Sequence, residues 1–168
     1  MCIRDSYIAM RFLVKPMDFP NAFMYGAGHG GVEAMLLCGV ASISNIAGAV
    51  MINSGTMSAQ LATLDAEKAA DTAAALSALW TTPSLTFFAG GVERIIAVVL
   101  HLSLSILVFQ SIRKKSQKDL LNAYLFHFVI DSLSVLLSAV ASVWVVELVA
   151  ALVTGGAVLM ARYACMEE

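Results

Sequence analysis

The chain has very little charge. Only 13% of its 168 residues are Asp, Glu, Lys or Arg, 60% are hydrophobic, and the mean hydropathy is +0.83. A typical soluble domain has about 25% charged and about 45–50% apolar residues. This shortage of charge excludes an ordinary soluble domain and indicates an integral membrane protein that lies in a lipid bilayer. A net charge of -2 also leaves no basic face to neutralise phosphates, which excludes a nucleic-acid partner.

Several sequence signatures are also missing. The chain has three cysteines, Cys2, Cys38 and Cys165, whose odd number and wide separation indicate neither a zinc knuckle nor a disulfide framework. No H-E-x-x-H sequence occurs, so the common signature of soluble zinc proteases is absent. The glycines at positions 28, 30 and 31 are not followed by a P-loop lysine, and we expect them to serve close helix packing.

Residues 1–6, Met-Cys-Ile-Arg-Asp-Ser, differ in character from the rest of the chain and resemble sequencing-adaptor read-through. We expect this segment to be non-native and the protein to begin further upstream, with additional N-terminal helices. A genomic copy that continues smoothly upstream of Tyr7 is the observation that tests this expectation.

The apolar runs predict about four membrane spans. A span needs about 20 apolar residues, and residues 28–53 and 84–109 each supply one. Residues 120–163 are long enough for two spans with a tight turn near 138–142. Pro16 and Pro20 predict a loop or broken amphipathic segment over residues 7–27. The expected fold is an all-α polytopic transmembrane bundle forming a single membrane domain over residues 1–168.

Charge asymmetry predicts how these spans cross the bilayer. Loop 110–119 carries Arg113, Lys114, Lys115 and Lys118, which places it in the cytoplasm by the positive-inside rule. The mildly acidic segment 54–83 then falls outside the cytoplasm, where we expect a loop that carries a short helix.

Ionisable residues inside the apolar runs are the candidate functional residues, because they are expensive in a bilayer and usually face the bundle interior. His29 and Glu33 lie four positions apart and therefore share a helix face. His101 lies eight residues before the predicted end of its span, and His127 lies eight residues after Asp119, so both should sit ~12 Å from the same membrane face. Glu33 reaches a similar depth. These nitrogen and oxygen donors are ligands that zinc accepts.

Three further charged residues lie in the same spans as Glu33, His101 and His127, which form a layer at one depth. Asp131 lies one turn beyond His127 and could orient it, as outer carboxylates of metal sites do. Glu93 precedes His101 by eight residues, ~12 Å along the helix axis, and only a kinked or re-entrant helix start would bring it to the layer. Arg94 could act beside the site or serve as the ion-pair partner of Glu93.

The motifs Gly28-His29-Gly30-Gly31-Val32-Glu33, Glu93-Arg94 with His101, and His127-x-x-x-Asp131 together resemble the YhfC family of intramembrane metalloproteases. The motif layout is similar to that of CAAX prenyl-endopeptidases and PrsW-like proteases. The resemblance covers about residues 22–135. It implies a helical hydrolase of the bacterial plasma membrane, with a metal between helices and a peptide or membrane protein as substrate.

The leading hypothesis is therefore a metal-dependent membrane endopeptidase. In it Glu33 or Glu93 activates water, while His101, His127 and His29 hold a divalent metal, zinc by preference. Two alternatives stay open: a proton- or cation-coupled transport component that uses the same buried groups, and a non-catalytic scaffold whose polar residues only join helices. A peptidase requires the ligands to converge on one point, whereas a proton path strings them across the membrane.

Overall fold

The computed structural model describes residues 3–166, and every regular element in that range is helical. The helices are α1 (Ile3–Phe12), α2 (Phe19–Ala34), a π-helical turn (Met35–Gly39), α3 (Val40–Asn53), α4 (Met57–Leu61), α5 (Ala66–Thr81), α6 (Ser84–Arg113), α7 (Gln117–Ser138) and α8 (Val143–Met166). Within residues 3–166, four helical stretches are long and apolar enough to cross a membrane: Phe19–Asn53, Ser84–Arg113, Gln117–Ser138 and Val143–Met166. The prediction of an all-α polytopic membrane protein is confirmed.

The first of these stretches begins nine residues earlier than predicted. The predicted loop over residues 7–27 is largely helical, because α1 runs to Phe12 and α2 begins at Phe19. Asp18 Oδ1 accepts a hydrogen bond from Asn21 N at 3.0 Å and so caps α2. Pro20 stands in the first turn, where its missing N–H removes no helical hydrogen bond. The proline therefore marks a helix start.

The π-helical turn continues directly from the end of α2. Such turns insert an extra residue into the helical repeat and frequently adjoin functional sites. Here the turn begins two residues after Glu33. It also coincides with the division of the chain into two compact units, Met1–Glu33 with Ala89–Glu168, and Ala34–Phe88.

Helix α6 is the central element of the first unit. Half of its most apolar stretch is buried, against 11% for α7 and 22% for α8. The buried core is made of aliphatic, aromatic and small side chains from α1, α2, α6, α7 and α8: Ile3, Met10, Ala22, Leu100, Leu104, Leu107, Val108, Phe109, Ala123, Ile130, Ala150, Ala157, Ala161 and Ala164. The small residues of α8 permit a close approach to its neighbours.

Helices α7 and α8 pack on each other after a turn over residues 139–142, where the sequence predicted it. At the other end of α7, Ser116 caps the helix through a hydrogen bond from Asp119 N. Helix α6 continues to Arg113, four residues beyond the predicted end of its span, which leaves only residues 114–116 between α6 and α7.

In the second unit, α3 packs on α5. Gly48 lies where α3 meets the Leu76 side chain, and an added Cβ there would collide with it. Segment 54–83 is more helical than expected, since it contains both α4 and the 16-residue α5. Asp65 caps α5 by accepting hydrogen bonds from Lys68 N at 2.9 Å and Lys68 Nζ at 2.8 Å.

Candidate metal centre

A face of small residues on α2 lets this helix lie directly against α6. The buried residues of α2 are Ala22, Gly26 and Gly30, spaced four apart. A Cβ added at Gly26 would lie 2.9 Å from Ser105 Cβ, and one added at Gly30 would lie 3.1 Å from His101 Cβ. Small residues at this spacing are typical of close helix pairs in membranes. The approach places the adjacent positions of α2 beside His101.

His29, Glu33 and His101 come together across this contact. His101 Nε2 lies 3.2 Å from Glu33 Oε2. The rings of His29 and His101 stack with centroids 4.8 Å apart at an interplanar angle of 24°. One ligand atom from each of the three residues lies within 4.8 Å of the other two. Two residues of α2 and one of α6 thus direct nitrogen and oxygen donors at a common point.

Helix α7 adds a third histidine. The His127 ring lies edge-on to the His101 ring, with centroids 6.3 Å apart. His29, His101 and His127 line one small cavity in the first unit. His127 Nδ1 lies 2.8 Å from Asp131 Oδ2, one turn further along α7. With Nδ1 held by the carboxylate, Nε2 is the remaining ring nitrogen of His127.

The donor set fits a divalent metal. His29 Nε2 is buried and has no hydrogen-bond partner among residues 3–166. A buried polar atom without a partner is costly unless something binds it. Two ligands held at about 2.0–2.2 Å from a tetrahedral zinc lie about 3.3–3.6 Å apart. The 3.2 Å between His101 Nε2 and Glu33 Oε2 is close to this separation, so the distances within the cluster are of the size that a metal site requires.

Glu93 and Arg94 are not brought into this cluster. Helix α6 is one continuous helix from Ser84 to Arg113, so Glu93 and His101 lie on the same unbroken helix. Eight residues of helix separate Glu93 from His101 by about 12 Å along the axis. Glu93 instead pairs with Arg94. The ion-pair alternative for Arg94 is thus the arrangement seen in the structure.

The sequence did not indicate two residues near the site, Gly26 and Ser105. Gly26 supports the α2–α6 contact, whereas an added Cβ at Gly28 or Gly31 meets open space. In the sequence, the four-residue spacing of Gly26 and Gly30 could have indicated this contact. Ser105 lines the histidine cavity one turn after His101, and this spacing of four could have indicated it.

Glu147 is a further ionisable residue within an apolar helix. It is 7% exposed, and its Oε2 has no hydrogen-bond partner in the described part of the chain. It lies on α8 and contributes no atom to the group formed by His29, Glu33 and His101. No periodicity or spacing in the sequence connects it with that group.

Comparisons with known proteins identify the family of the chain. Residues 3–150 match the family described as YhfC intramembrane metalloprotease. The chain is similar to a Bacillus subtilis protein named "Uncharacterized membrane protein YhfC", with 38% identity over 122 residues. The alignment covers 72% of this chain and 46% of that relative, so the chain spans less than half of the relative's length. No solved structure matches the chain. By the extent of the family match, this chain belongs to the YhfC intramembrane metalloprotease family.

Proposed function

We propose that the chain forms the metal-binding part of an intramembrane metal-dependent endopeptidase. The observation that carries this proposal is the convergence of His29, Glu33 and His101, whose ligand atoms lie within 4.8 Å of one another inside apolar helices. Polar residues that only hold helices together require no more than pairwise hydrogen bonds. Three donors at one point, with the third imidazole ring, that of His127, lining the same cavity, favour binding of an ion.

We assign His29 and His101 of this group as residues that hold the metal and add His127, which lines the same cavity, although its ligand atoms are not part of the group that lies within 4.8 Å among the described residues. All three line the same cavity, and the buried Nε2 of His29 has no hydrogen-bond partner among the described residues. Three protein ligands leave one coordination position open, the arrangement of catalytic zinc sites. A bound divalent ion, for which we propose zinc, supplies Lewis acidity that activates water and polarises a peptide carbonyl.

Glu33 is assigned as the proton acceptor. Its side chain is 33% exposed, three times as much as that of His101, so the carboxylate lies at the open edge of the cluster. A carboxylate in that position can take a proton from water and pass it to the leaving amine. Asp131 holds His127 through Nδ1 and so positions it, without contacting the reacting atoms itself.

The site lies within helices that can cross a membrane, so the substrate class is a peptide segment in or beside the bilayer. We place the protein in a bacterial plasma membrane, with residues 110–119 on the cytoplasmic side because they carry four basic residues.

Elemental analysis of the detergent-purified chain tests this proposal. We expect about one zinc per chain, lost in His101→Ala and His127→Ala. Glu147→Gln is the control, since it alters a buried carboxylate of the same unit outside the cluster and should retain the metal. The Bacillus subtilis relative, measured in parallel, extends the test to a longer chain.

Hydrolysis is tested by incubating the metal-loaded protein in nanodiscs with a library of quenched fluorogenic transmembrane peptides. Cleavage that His101→Ala abolishes supports the peptidase. Absence of metal in folded protein after zinc is added would overturn the proposal. Proton uptake into proteoliposomes that depends on His101 and Glu33 would then support the transport alternative.

A further inference from the structure

Glu147 is a buried carboxylate on α8 that stands apart from the metal centre. It is 7% exposed, and its Oε2 atom has no hydrogen-bond partner among residues 3–166. Glu93 and Arg94 of α6 both interact with its charge electrostatically. All three residues belong to the first of the two compact units. We call them the Glu147 triad, which links α6 to α8 through charged side chains.

The packing of α6 and α8 places the members of the triad at one height. Lys114 Nζ donates a hydrogen bond to Ala164 O at 2.6 Å, so the C-terminal ends of the two helices lie together. Arg94 lies 19 residues before the end of α6 (113 − 94 = 19), and Glu147 lies 19 residues before the end of α8 (166 − 147 = 19). About 28 Å of helix therefore separates each of them from the joined ends.

The three side chains of the triad together carry one negative charge. Glu93 is paired with Arg94 through Nη2 of the guanidinium group. Arg94 Nε is buried and has no hydrogen-bond partner in the described part of the chain. The ion pair therefore involves the carboxylate that is 48% exposed, while the buried carboxylate of Glu147 keeps an oxygen without a partner. A lone carboxylate inside apolar helices is unfavourable unless a positive charge binds it.

We propose that the Glu147 triad is a binding site for one small monovalent cation of the size of sodium. The ion lies against Glu147 Oε2, and Glu93 supplies the second carboxylate. Carboxylate oxygens are the donors that hard cations prefer. This inference depends neither on the metal centre nor on peptide hydrolysis.

Charge and burial together select this occupant. A monovalent cation brings the triad to neutrality, whereas a divalent ion would leave it with a positive charge inside apolar helices. A basic side chain of a peptide would have to reach a buried oxygen atom between two helices. A small ion has only to pass Glu93, which is half-exposed.

Binding of radioactive sodium to the detergent-purified chain tests the proposal. The measurement is made in the presence of zinc at fixed pH, and N-methyl-D-glucamine chloride keeps the ionic strength constant. We expect one sodium ion per chain. Glu147→Gln should weaken sodium binding at least about tenfold, because it removes the charge of the buried partner.

Two further variants locate the ion. Asp119→Asn removes a carboxylate of the same unit at the N-terminal end of α7, and it should change sodium binding less than about twofold, because distant charges are screened. His101→Ala removes a histidine of the metal centre and should leave sodium binding intact. Circular dichroism establishes that each variant keeps its helicity.

Replacing Arg94 tests the charge balance of the triad. Arg94→Gln raises the charge of the triad from one to two negative charges, so the variant should bind radioactive calcium, which the unmodified triad should not bind. Arg94→Lys is the matched control, because it retains the positive charge and should retain the preference for sodium.

Thermal unfolding supplies a second readout. Sodium should raise the unfolding temperature of the unmodified chain relative to N-methyl-D-glucamine, since a ligand that binds the folded state stabilises it. Glu147→Gln should remove this sodium dependence. In sodium-free buffer the same variant should unfold about 2–4 °C higher than the unmodified chain, because it no longer buries an unpaired carboxylate.

Four results would overturn the proposal. They are the absence of bound sodium in the folded unmodified chain, equal losses of sodium binding in Glu147→Gln and Asp119→Asn, loss of sodium binding in His101→Ala, and the same cation preference in Arg94→Gln and Arg94→Lys. An infrared band of a protonated carboxylic acid that persists in sodium and disappears in Glu147→Gln would also overturn it, since a proton would then occupy Glu147.

Discussion

His101 Nε2 and Glu33 Oε2 lie 3.2 Å apart, and this contact joins α6 to α2. The two residues are 68 positions apart in sequence, since 101 − 33 = 68. The contact orients one oxygen of Glu33 toward the imidazole, and the proposed function assigns proton acceptance to the other oxygen. It also explains how a carboxylate and a histidine are both retained inside apolar helices, where an isolated charge is unfavourable.

Replacing Glu33 by Gln should abolish hydrolysis and leave the metal bound. The amide keeps the volume and a hydrogen-bond acceptor but cannot take a proton, and loss of a general base reduces rates about 10²–10⁴-fold. Zinc content and peptide cleavage are measured on the same sample. Loss of the metal together with activity would instead make Glu33 a ligand.

Replacing Asp131 by Asn should weaken the metal site without removing a ligand. Asp131 holds His127 Nδ1 at 2.8 Å, and loss of such an outer partner typically lowers metal affinity about 10–100-fold. Competition with a fluorescent zinc chelator measures the change.

Asp119→Asn is the control for this experiment. It makes the same chemical change on the same helix, twelve residues away (131 − 119 = 12), outside the histidine cavity. An equal loss of affinity in both variants would mean that Asp131 acts only through its charge.

Replacing Gly26 or Gly30 by Ala should separate α2 from α6. The new Cβ at Gly26 would lie 2.9 Å from Ser105 Cβ and 3.0 Å from Leu102 Cα, atoms that cannot move without the backbone. Overpacking of this kind reduces the free energy of unfolding by about 1–3 kcal/mol. Thermal unfolding in detergent should therefore shift to lower temperature, and zinc binding should weaken.

Gly28→Ala and Gly31→Ala are the matched controls on the same helix. An added Cβ at either position meets nothing within 4 Å. These variants should keep the stability and metal content of the unmodified protein. If all four variants behaved alike, helix propensity rather than the α2–α6 contact would govern the result.

The start of α5 should lose stability in acid. Hydrogen bonds from the Lys68 side chain and backbone lower the pKa of the Asp65 carboxyl below its usual value. A carboxyl with a lowered pKa in the folded state stabilises it above the unfolded-state pKa. That contribution is lost as the pH falls through the lowered pKa. The Cα chemical shifts of residues 66–69, followed from neutral pH into acid, should move toward coil values.

Asp65→Asn should remove this pH dependence, because the amide keeps an oxygen acceptor for the cap but does not titrate there. Asp71→Asn alters an exposed aspartate elsewhere on α5 and should leave the dependence in place. If the pH dependence disappeared in Asp71→Asn, it would arise from Asp71 and not from Asp65.

Hydrophobicity alone determined the fold class and the approximate spans of this protein. Twenty or more apolar residues in succession can satisfy their backbone groups in a bilayer only as helices. The turn between α7 and α8 was predictable for the same reason, since 44 apolar residues exceed one span. The beginning of α2 was not predictable, because Pro20 is compatible with either a helix start or a helix break. The cap formed by Asp18 decides between the two.

The sequence also indicated the histidines and carboxylates, because ionisable residues stand out against apolar helices and their depth follows from residue counts. Depth fixes position along the membrane normal but not rotation about each helix axis. Only the tertiary structure decided that His29, Glu33 and His101 face one another while Glu93 pairs with Arg94. The physical reason is the contact of Gly26 and Gly30 with α6, which sets both the separation and the rotation of α2. Hydrophobic periodicity does not determine the rotation of a helix that is surrounded by lipid, because lipid tails and protein side chains are equally apolar.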